Sequence, residues 1–522
     1  MQKSWTYENR ENMITLPVKA VQTVVETEET LRGGLREAAK VFYAGADASI
    51  RHAQVNGSRI HCEGRIRFQA LYAQGDMSKI IPLEVTADFQ QSVQAPDGMG
   101  EAAAADANIH CDVISVDARV HNGRIVLEAI VQLEGHVMIP KNVRCLKMAD
   151  NDDRICEKKT HLTMCRKAGS GEVQSTVRDE IELSDILQVR ETLIGSACAV
   201  VEDVKQIGKD RVAVIGTVLL DVCHQSDMPR RPLIRTQHKV PFEQEIALSG
   251  SGSMVSAQSS VKDVAVVSQD GSDGNGEKVM RCEIVVHTLV QAIEQAETDV
   301  LEDAYSLSGQ EVHVEKEQAV FTTAFICEEK AESGRLNCQL PEGAPRMKEA
   351  LLAFPEPVLL RKRKSGNRLQ LDGVMRCTVL YTQEEPEEIV SCQVEVPFTS
   401  SFMTEADQDD VIKLHVSEPS VSAVTGDRAE IKYILHMSAS GERWQKIPVA
   451  TDAVMGEEKP FLHGATICYV QQGETLWDVG KRYGIKTDVL EEENGIANGQ
   501  VTAGDALIIF GNQALQKQNA YE

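Results

Sequence analysis

Apolar and polar residues alternate along three long stretches of the chain, a pattern that predicts strands with one buried face. The stretches align with one another and read RIHCEGRIRFQALYAQGDMSKIIPLEVTADF (Arg59 to Phe89), RVAVIGTVLLDVCHQSDMPRRPLIRTQHKVPF (Arg211 to Phe242) and RLQLDGVMRCTVLYTQEEPEEIVSCQVEVPF (Arg368 to Phe398). The repeat period is about 155 residues. The pattern in each copy predicts a strand, a polar loop and a second strand, which together form a hairpin-like unit.

All three copies share a glycine inside the first strand and a phenylalanine at the end of the second. The glycines are Gly64, Gly216 and Gly373, and the phenylalanines are Phe89, Phe242 and Phe398. The glycine lies on the apolar face of its strand, where a missing side chain indicates a bulge or a close approach of another backbone.

Each copy is followed by a second pair of predicted strands. In copy one, Asn108 to Ala118 and Arg124 to Val137 flank His121-Asn122-Gly123, and Asn-Gly is a favoured hairpin turn. Copy three has Thr425-Gly426-Asp427 at this place, and copy two has a polar insert around Gly271 to Gly276. Short apolar clusters precede the copies, and we expect each to form a short helix or a lead-in: Leu31 to Phe42, Ile181 to Val189 and Met347 to Phe354.

The composition changes near the C-terminus. Residues 446–463 contain Pro448, Gly456 and Pro460 and predict a linker. The following segment, Ile467 to Phe510, predicts a strand, two short helices and a closing strand, with Thr475 as the N-cap of the first helix.

The expected fold class is therefore mainly β, with three β-rich, sandwich-like repeats followed by a small α+β (βααβ) domain. The predicted divisions are repeat 1 with its lead-in at 1–160, repeat 2 at 161–318, repeat 3 at 319–445, a linker at 446–463, the small domain at 464–511 and a polar tail at 512–522.

Composition and charge argue against several classes of function. The chain has 54 Lys and Arg against 79 Asp and Glu, a formal charge of −25, which argues against binding nucleic acid or anionic lipid. We expect no membrane insertion and no secretory signal, because long apolar runs and an apolar N-terminal region are missing. The basic run Arg361 to Lys364 predicts a solvated loop.

We expect neither an enzyme nor a cofactor. The glycine-rich segments lack the Gly-Lys-Ser/Thr ending of a phosphate loop, and G-x-S-x-G and H-E-x-x-H do not occur. One cluster has zinc-ligand residue types, namely Cys145, Cys156, His161 and Cys165, but structural zinc sites usually contain close pairs such as C-x2-C. We therefore expect ordinary core and surface cysteines and no metal.

The C-terminal segment resembles a LysM domain. The resemblance rests on Tyr469-Val470, Gly473-Glu474-Thr475-Leu476, Tyr483-Gly484, Leu490, Asn494, Gly504-Asp505 and Leu507-Ile508. It implies a βααβ fold with a shallow groove between two loops, which in the family binds N-acetylglucosamine polymers such as peptidoglycan. The resemblance implies that the groove residues in this chain are Gly473, Glu474, Thr475 and Leu476 on one side, and Asn494, Gly495, Ile496 and Ala497 on the other.

Three repeats followed by a LysM domain resemble the SipL family of spore coat morphogenetic proteins, whose repeats are SPOCS domains. The resemblance implies a mother-cell cytoplasmic protein that is recruited to the forespore surface and the spore coat. It implies binding of a SpoIVA-like morphogenetic ATPase through the LysM domain, besides other coat proteins. Trp477 is the candidate hot spot, because Trp is enriched at such positions; the alternative is a packed core residue. The alternative function is binding of peptidoglycan or cortex.

Overall fold

The structure is a computed structural model and describes residues 5–31, 40–73, 79–97, 106–148, 154–270, 278–458 and 464–510. The first repeat contains β1 (Trp5–Thr30), β2 (Lys40–Asn56), β3 (Arg59–Ala73), β4 (Ile80–Gln94), β5 (Asp106–His121) and β6 (Arg124–Met148). The second contains β7 (Ile155–Leu183), β8 (Val189–Gln206), β9 (Arg211–Ser226), β10 (Leu233–Ala247), β11 (Met254–Asp270) and β12 (Lys278–Ser306). The third contains β13 (Gln310–Gln339), β14 (Met347–Ser365), β15 (Arg368–Gln383), β16 (Ile389–Met403), β17 (Val411–Thr425) and β18 (Arg428–Glu458).

Each repeat is built from two three-stranded antiparallel sheets with the same strand order. We call β2-β3-β4, β8-β9-β10 and β14-β15-β16 the hairpin sheets, and β1-β6-β5, β7-β12-β11 and β13-β18-β17 the long sheets. The alternating apolar residues of the two sheets meet in one core per repeat; in the first, Phe68 of β3 and Leu127 of β6 are both fully buried. The mainly β class, with β-rich repeats before a βααβ domain, is confirmed.

The repeated glycines and phenylalanines lie directly opposite each other in the hairpin sheets. The register pairs are Gly64 with Phe89, Gly216 with Phe242 and Gly373 with Phe398. A β-carbon placed on these glycines would lie 2.3, 2.6 and 2.7 Å from the nearest atom of the phenyl ring. On the other side of each glycine, the first strand of the hairpin sheet bulges, at Arg51, Glu202 and Leu360. The sequence predicts a bulge or a close backbone approach at these glycines. A bulge lies on the neighbouring strand in all three copies, and a backbone carbonyl lies 2.4 Å from the β-carbon position at Gly216 and Gly373.

The hairpin sheets close a ring. Strand β4 contacts β8, β10 contacts β14 and β16 contacts β2, so each repeat meets the next in the same way and the third returns to the first. One apolar cluster joins the three sheets: Phe42, Leu71, Ala73, Ile80, Leu193, Ile194, Cys223, Leu233, Leu352, Phe354 and Leu380. The repeats are thus one body in which contacts follow a threefold pattern.

Several predicted boundaries differ from the structure. The predicted linker is strand as far as Glu458, and residues 459–463 lie outside the described residues. Pro448 is compatible with a strand there, because it pairs only with Gln318 of β13, and the pairing of β18 with β17 stops at Ser440. Strands β7 and β13 begin at Ile155 and Gln310, before the repeat starts predicted at 161 and 319, because runs of polar residues at 157–161 and 315–318 interrupt the apolar alternation there.

The predicted lead-ins are not α-helices where they are described. Residues Met347 to Phe354 belong to β14, because their backbone pairs with β15. Residues Ile181 to Val189 contain one 3-10 turn, Asp185–Leu187. The basic run Arg361 to Lys364 is strand, not loop; Lys362 Nζ donates to the carbonyl of Asp410 at 2.7 Å. Most of the lead-in Leu31 to Phe42, the insert Gly271 to Gly276 and the tail 512–522 lie outside the described residues.

The predicted turn at Asn122-Gly123 is present. Both residues have positive φ, 50° and 76°, as a tight hairpin turn of this type requires. In the described part of the chain, no helix has the length and apolar character needed to cross a membrane.

The C-terminal module follows the predicted order. It consists of β19 (Ala465–Tyr469), α1 (Leu476–Tyr483), α2 (Thr487–Asn494) and β20 (Ala506–Phe510), with β19 and β20 antiparallel. Its core is made of Cys468, Val470, Leu476, Val479, Ile485, Leu490, Leu507 and Ile509.

Candidate functional site

The first predicted groove loop, Gly473 to Leu476, makes most of its polar contacts inside the module. Thr475 caps α1 through a capping box with Asp478, whose carboxylate accepts from the Thr475 backbone N–H at 2.8 Å. Glu474 accepts from the backbone N–H of Gln471 at 2.9 Å and forms an ion pair with Arg482. Leu476 is 3% exposed and lies in the core, so its side chain is not presented to a ligand at the surface.

The second loop, Asn494 to Ala497, is fastened to the edge of strand β20. The Asn494 amide donates to the carbonyl of Ile508 at 3.0 Å and accepts from its N–H at 2.6 Å. Gly495 has a φ of 64° and ends α2, and Ile496 packs against the core. Ala497 is exposed, as are Gly473 and Thr475 in the first loop. The accessible parts of both loops are therefore mainly backbone and small side chains.

Trp477 points toward the second repeat. Its indole Nε1 donates to Asp303 Oδ2 at 3.1 Å, and its ring meets the ring of Tyr305 edge-on, with 4.7 Å between centroids. The Tyr305 hydroxyl donates to the carbonyl of Ile485 at 2.7 Å. Trp477 is thus half-buried between two domains, in neither the module core nor a fully exposed position.

Asp303 is the centre of this docking contact. Its carboxylate also accepts from Lys481 Nζ at 2.6 Å and from Lys316 Nζ at 2.9 Å, and its side chain is 6% exposed. Burial alone would raise the pKa of Asp303, but the hydrogen bonds from Lys481, Lys316 and Trp477 outweigh burial and hold that pKa below its usual value. Sequence reasoning missed Asp303 and Tyr305, because no local pattern marks a strand end as the partner of a distant helix.

A cavity of about 1070 Å³ lies where the three repeats meet. Charged side chains on its wall pair between neighbouring strands of the same hairpin sheet: Arg67 with Asp47 at 3.1 Å, and Arg376 with Glu356 at 3.2 Å. Burial raises the pKa of Glu356 to about 7, although Arg376 and the hydroxyl of Tyr43 favour its charged form. The cavity wall is therefore polar, and the Tyr43 hydroxyl of the first repeat reaches Glu356 of the third at 3.3 Å.

The four zinc-ligand candidates have other partners. Cys145 lies in an apolar cluster, Cys156 lies opposite Tyr305 in the pairing of β7 with β12, Cys165 Sγ donates to the carbonyl of Thr323, and His161 Nδ1 lies 2.8 Å from Asp299. Elsewhere in the described ranges, potential ligand atoms of His110, Asp112 and Glu134 lie within 4.8 Å of one another. The positive charges of Lys362 and Lys413 act on Asp112 there and oppose a bound cation.

Comparison with known proteins identifies the module. The LysM domain family matches residues 468–510, which span both helices, strand β20 and the end of β19. Searches of the curated proteins and of the solved structures gave no match. The C-terminal module is therefore a LysM domain.

Proposed function

We propose that this chain is a spore coat morphogenetic adaptor of the SipL type, with SPOCS-type repeats as its scaffold. In this proposal the LysM domain binds a SpoIVA-like ATPase in the mother-cell cytoplasm, and the chain promotes encasement of the forespore by coat. The ring of repeats contributes a rigid base and a surface for other coat proteins. The chain itself is not an enzyme.

One observation carries the preference for a protein partner over a glycan. The polar side chains of the two groove loops, Glu474, Thr475 and Asn494, form hydrogen bonds or ion pairs inside the module. They are therefore occupied, whereas a glycan site needs free polar groups that bind sugar hydroxyls. The LysM domain also carries seven carboxylates against three basic side chains, and peptidoglycan is itself anionic.

The second candidate function is binding of peptidoglycan or cortex. It is supported by the LysM match and by the exposure of Gly473 and Ala497, one in each loop. These two exposed residues lie on opposite sides of the groove in which the family binds a sugar chain.

The test uses the full chain, a purified SpoIVA-like ATPase and insoluble peptidoglycan. Binding of the ATPase that peptidoglycan does not displace supports the adaptor. Sedimentation with peptidoglycan and no ATPase binding supports the second candidate.

Two variants then locate the contact. Trp477→Glu places a carboxylate beside Asp303 and also removes the candidate hot spot, whereas Asp303→Asn weakens domain docking alone. If Trp477→Glu abolishes ATPase binding and Asp303→Asn preserves it, the indole contacts the partner directly. If binding survives Trp477→Glu, the hot-spot assignment is wrong.

A further inference from the structure

The outer face of the LysM sheet is apolar and exposed. Ile467 and Ile508 lie opposite each other in the register and are 62% and 43% exposed. Tyr469 and Phe510 flank this pair along the same face and are 65% and 48% exposed. Side chains directly opposite on one face lie side by side, so the four form one surface. We call it the sheet face. Contiguous apolar surfaces of this kind mark interaction sites.

Other surfaces of the module already have partners. The inner face of the sheet packs on the helices through Cys468, Leu507 and Ile509. Helix α1 faces the second repeat through Trp477 and Lys481. Asn494 bonds both backbone groups of Ile508 and so covers the free edge of β20 at that point. Among the described residues of the module, the sheet face is the large apolar surface that this arrangement leaves exposed.

The charge next to the sheet face indicates the charge of the surface that it binds. Of the three basic side chains in the module, Lys481 bonds Asp303 and Arg482 pairs with Glu474, which leaves Lys486. Glu492 and Glu493 are exposed on α2, which packs beside β20, and Asp505 directly precedes β20. The sheet face is therefore bordered by acidic side chains along β20, where Asn494, the residue after Glu493, bonds Ile508.

We propose that the sheet face binds a partner protein through a surface with an apolar centre and a basic rim. This inference rests on the proposed function, in which the LysM domain binds a protein, and it places the contact on the sheet face instead of the groove.

The first test measures affinity of the full chain for the purified SpoIVA-like ATPase. The double variant Ile467→Glu/Ile508→Glu should weaken binding at least tenfold, because it places two carboxylates at the centre of the contact. Val489→Glu is the matched control: Val489 is a 37% exposed apolar residue on α2, outside the sheet face, and its replacement should change affinity less than twofold. Equal binding by the wild type and the double variant overturns the inference and leaves the proposed function standing.

The second test separates the two proposals when the wild-type chain does not bind the ATPase, an outcome that refutes the proposed partner. A photoreactive benzoylphenylalanine replaces Tyr469 in sporulating cells, and Val489 in a control. A cross-link from position 469 to another protein, at a peptide where basic and apolar residues adjoin, supports the sheet face. The same cross-link should weaken when Glu492→Lys/Glu493→Lys is added. The inference is overturned if position 469 gives no cross-link or gives one to a second copy of this chain. It is also overturned if N-acetylglucosamine oligomers compete with the cross-link.

Discussion

The phenyl ring of Phe398 lies across Gly373 on the neighbouring strand and fills the space that a side chain would need. A β-carbon on Gly373 would lie 2.7 Å from the ring and 2.4 Å from the carbonyl oxygen of Val358, which belongs to the bulged strand on the other side. The glycine is therefore enclosed from both sides. The phenyl ring lies against the glycine in the same way at Gly64 and Gly216, which explains why the three copies share these two residue types, and Gly216 also has the carbonyl oxygen of Val200 at 2.4 Å.

Gly373→Ala should destabilise the third repeat by about 1–3 kcal/mol, because neither the ring nor the backbone carbonyl has room to move in a packed core. Urea unfolding of the full chain measures this as a shift of the transition midpoint. The control is Gly208→Ala, where the nearest atom to a β-carbon is 3.8 Å away. An unchanged transition in Gly373→Ala would show that the hairpin sheet adapts at this position.

Local patterns in the sequence predicted the parts of the fold that local physics decides. Alternation predicted the hairpins, Asn122-Gly123 the turn, and Gly64 with its equivalents the bulges. The order of elements in the LysM domain followed from its caps and breakers. The beginning of β7 and the strand character of Pro448 were not predictable in this way, because polar residues and a proline are accepted where a strand has few neighbours.

The candidate site was predicted less completely. The sequence indicated the two groove loops and singled out Trp477, but not that its indole contacts Asp303, which is 174 residues away. Such a contact depends on how the ring of repeats presents the end of β12. The residues next to Trp477 and Asp303 in the sequence do not indicate that the two side chains meet.

Cysteines with a strongly raised pKa should resist alkylation in the folded chain. Burial raises the pKa of Cys111 and of Cys198 to about 12, so the reactive thiolate is scarce at pH 8. Iodoacetamide should label both residues slowly in buffer and rapidly in urea, as read by mass spectrometry of the peptides. Rapid labelling before unfolding would show that these strands open locally.

Asp303→Asn should loosen the LysM domain from the second repeat. The amide still accepts from Trp477, but the charge that binds Lys481 and Lys316 is lost, at a cost of about 1–3 kcal/mol. Hydrogen exchange of residues 476–485 should become faster. The matched control is Asp299→Asn on the same strand, whose exposed carboxylate pairs with His161 and should leave exchange in the LysM domain unchanged.

The docking of the LysM domain on the second repeat through Asp303 should weaken with pH only under acidic conditions. The pKa of Asp303 is lowered in the folded chain, so its contribution to stability is complete above the unfolded value of about 3.9. It is lost as the pH falls through the folded value. Exchange in the LysM domain, corrected for its intrinsic pH dependence, should therefore stay constant from pH 5 to 8. A change within that range would assign the docking to a different titrating group.

Glu356→Gln should remove a pH dependence of stability that arises where the third repeat contacts the first and closes the ring. Tyr43 of the first repeat stacks on Phe354 of the third, with centroids 3.9 Å apart, and its hydroxyl donates to Glu356 at 3.3 Å. The pKa of Glu356 is raised to about 7, above the unfolded value of about 4.3. Between these values the unfolded chain releases a proton that the folded chain retains, so stability falls as the pH rises through this window and is constant above it.

Glu356→Gln should therefore match the wild type near pH 4 and exceed its stability at pH 8. The expected gain is about 1 kcal/mol, less than the full pKa shift implies, because 31% of the side chain is exposed and solvent screens the charge. Urea unfolding at the two pH values measures the difference. Arg376→Gln is the complementary variant: it removes the cation that favours the charged form of Glu356, so it should steepen the loss of stability toward pH 8. If Glu356→Gln is the less stable protein at pH 8, the ion pair with Arg376 outweighs the cost of burying the carboxylate, and acid should weaken the ring closure.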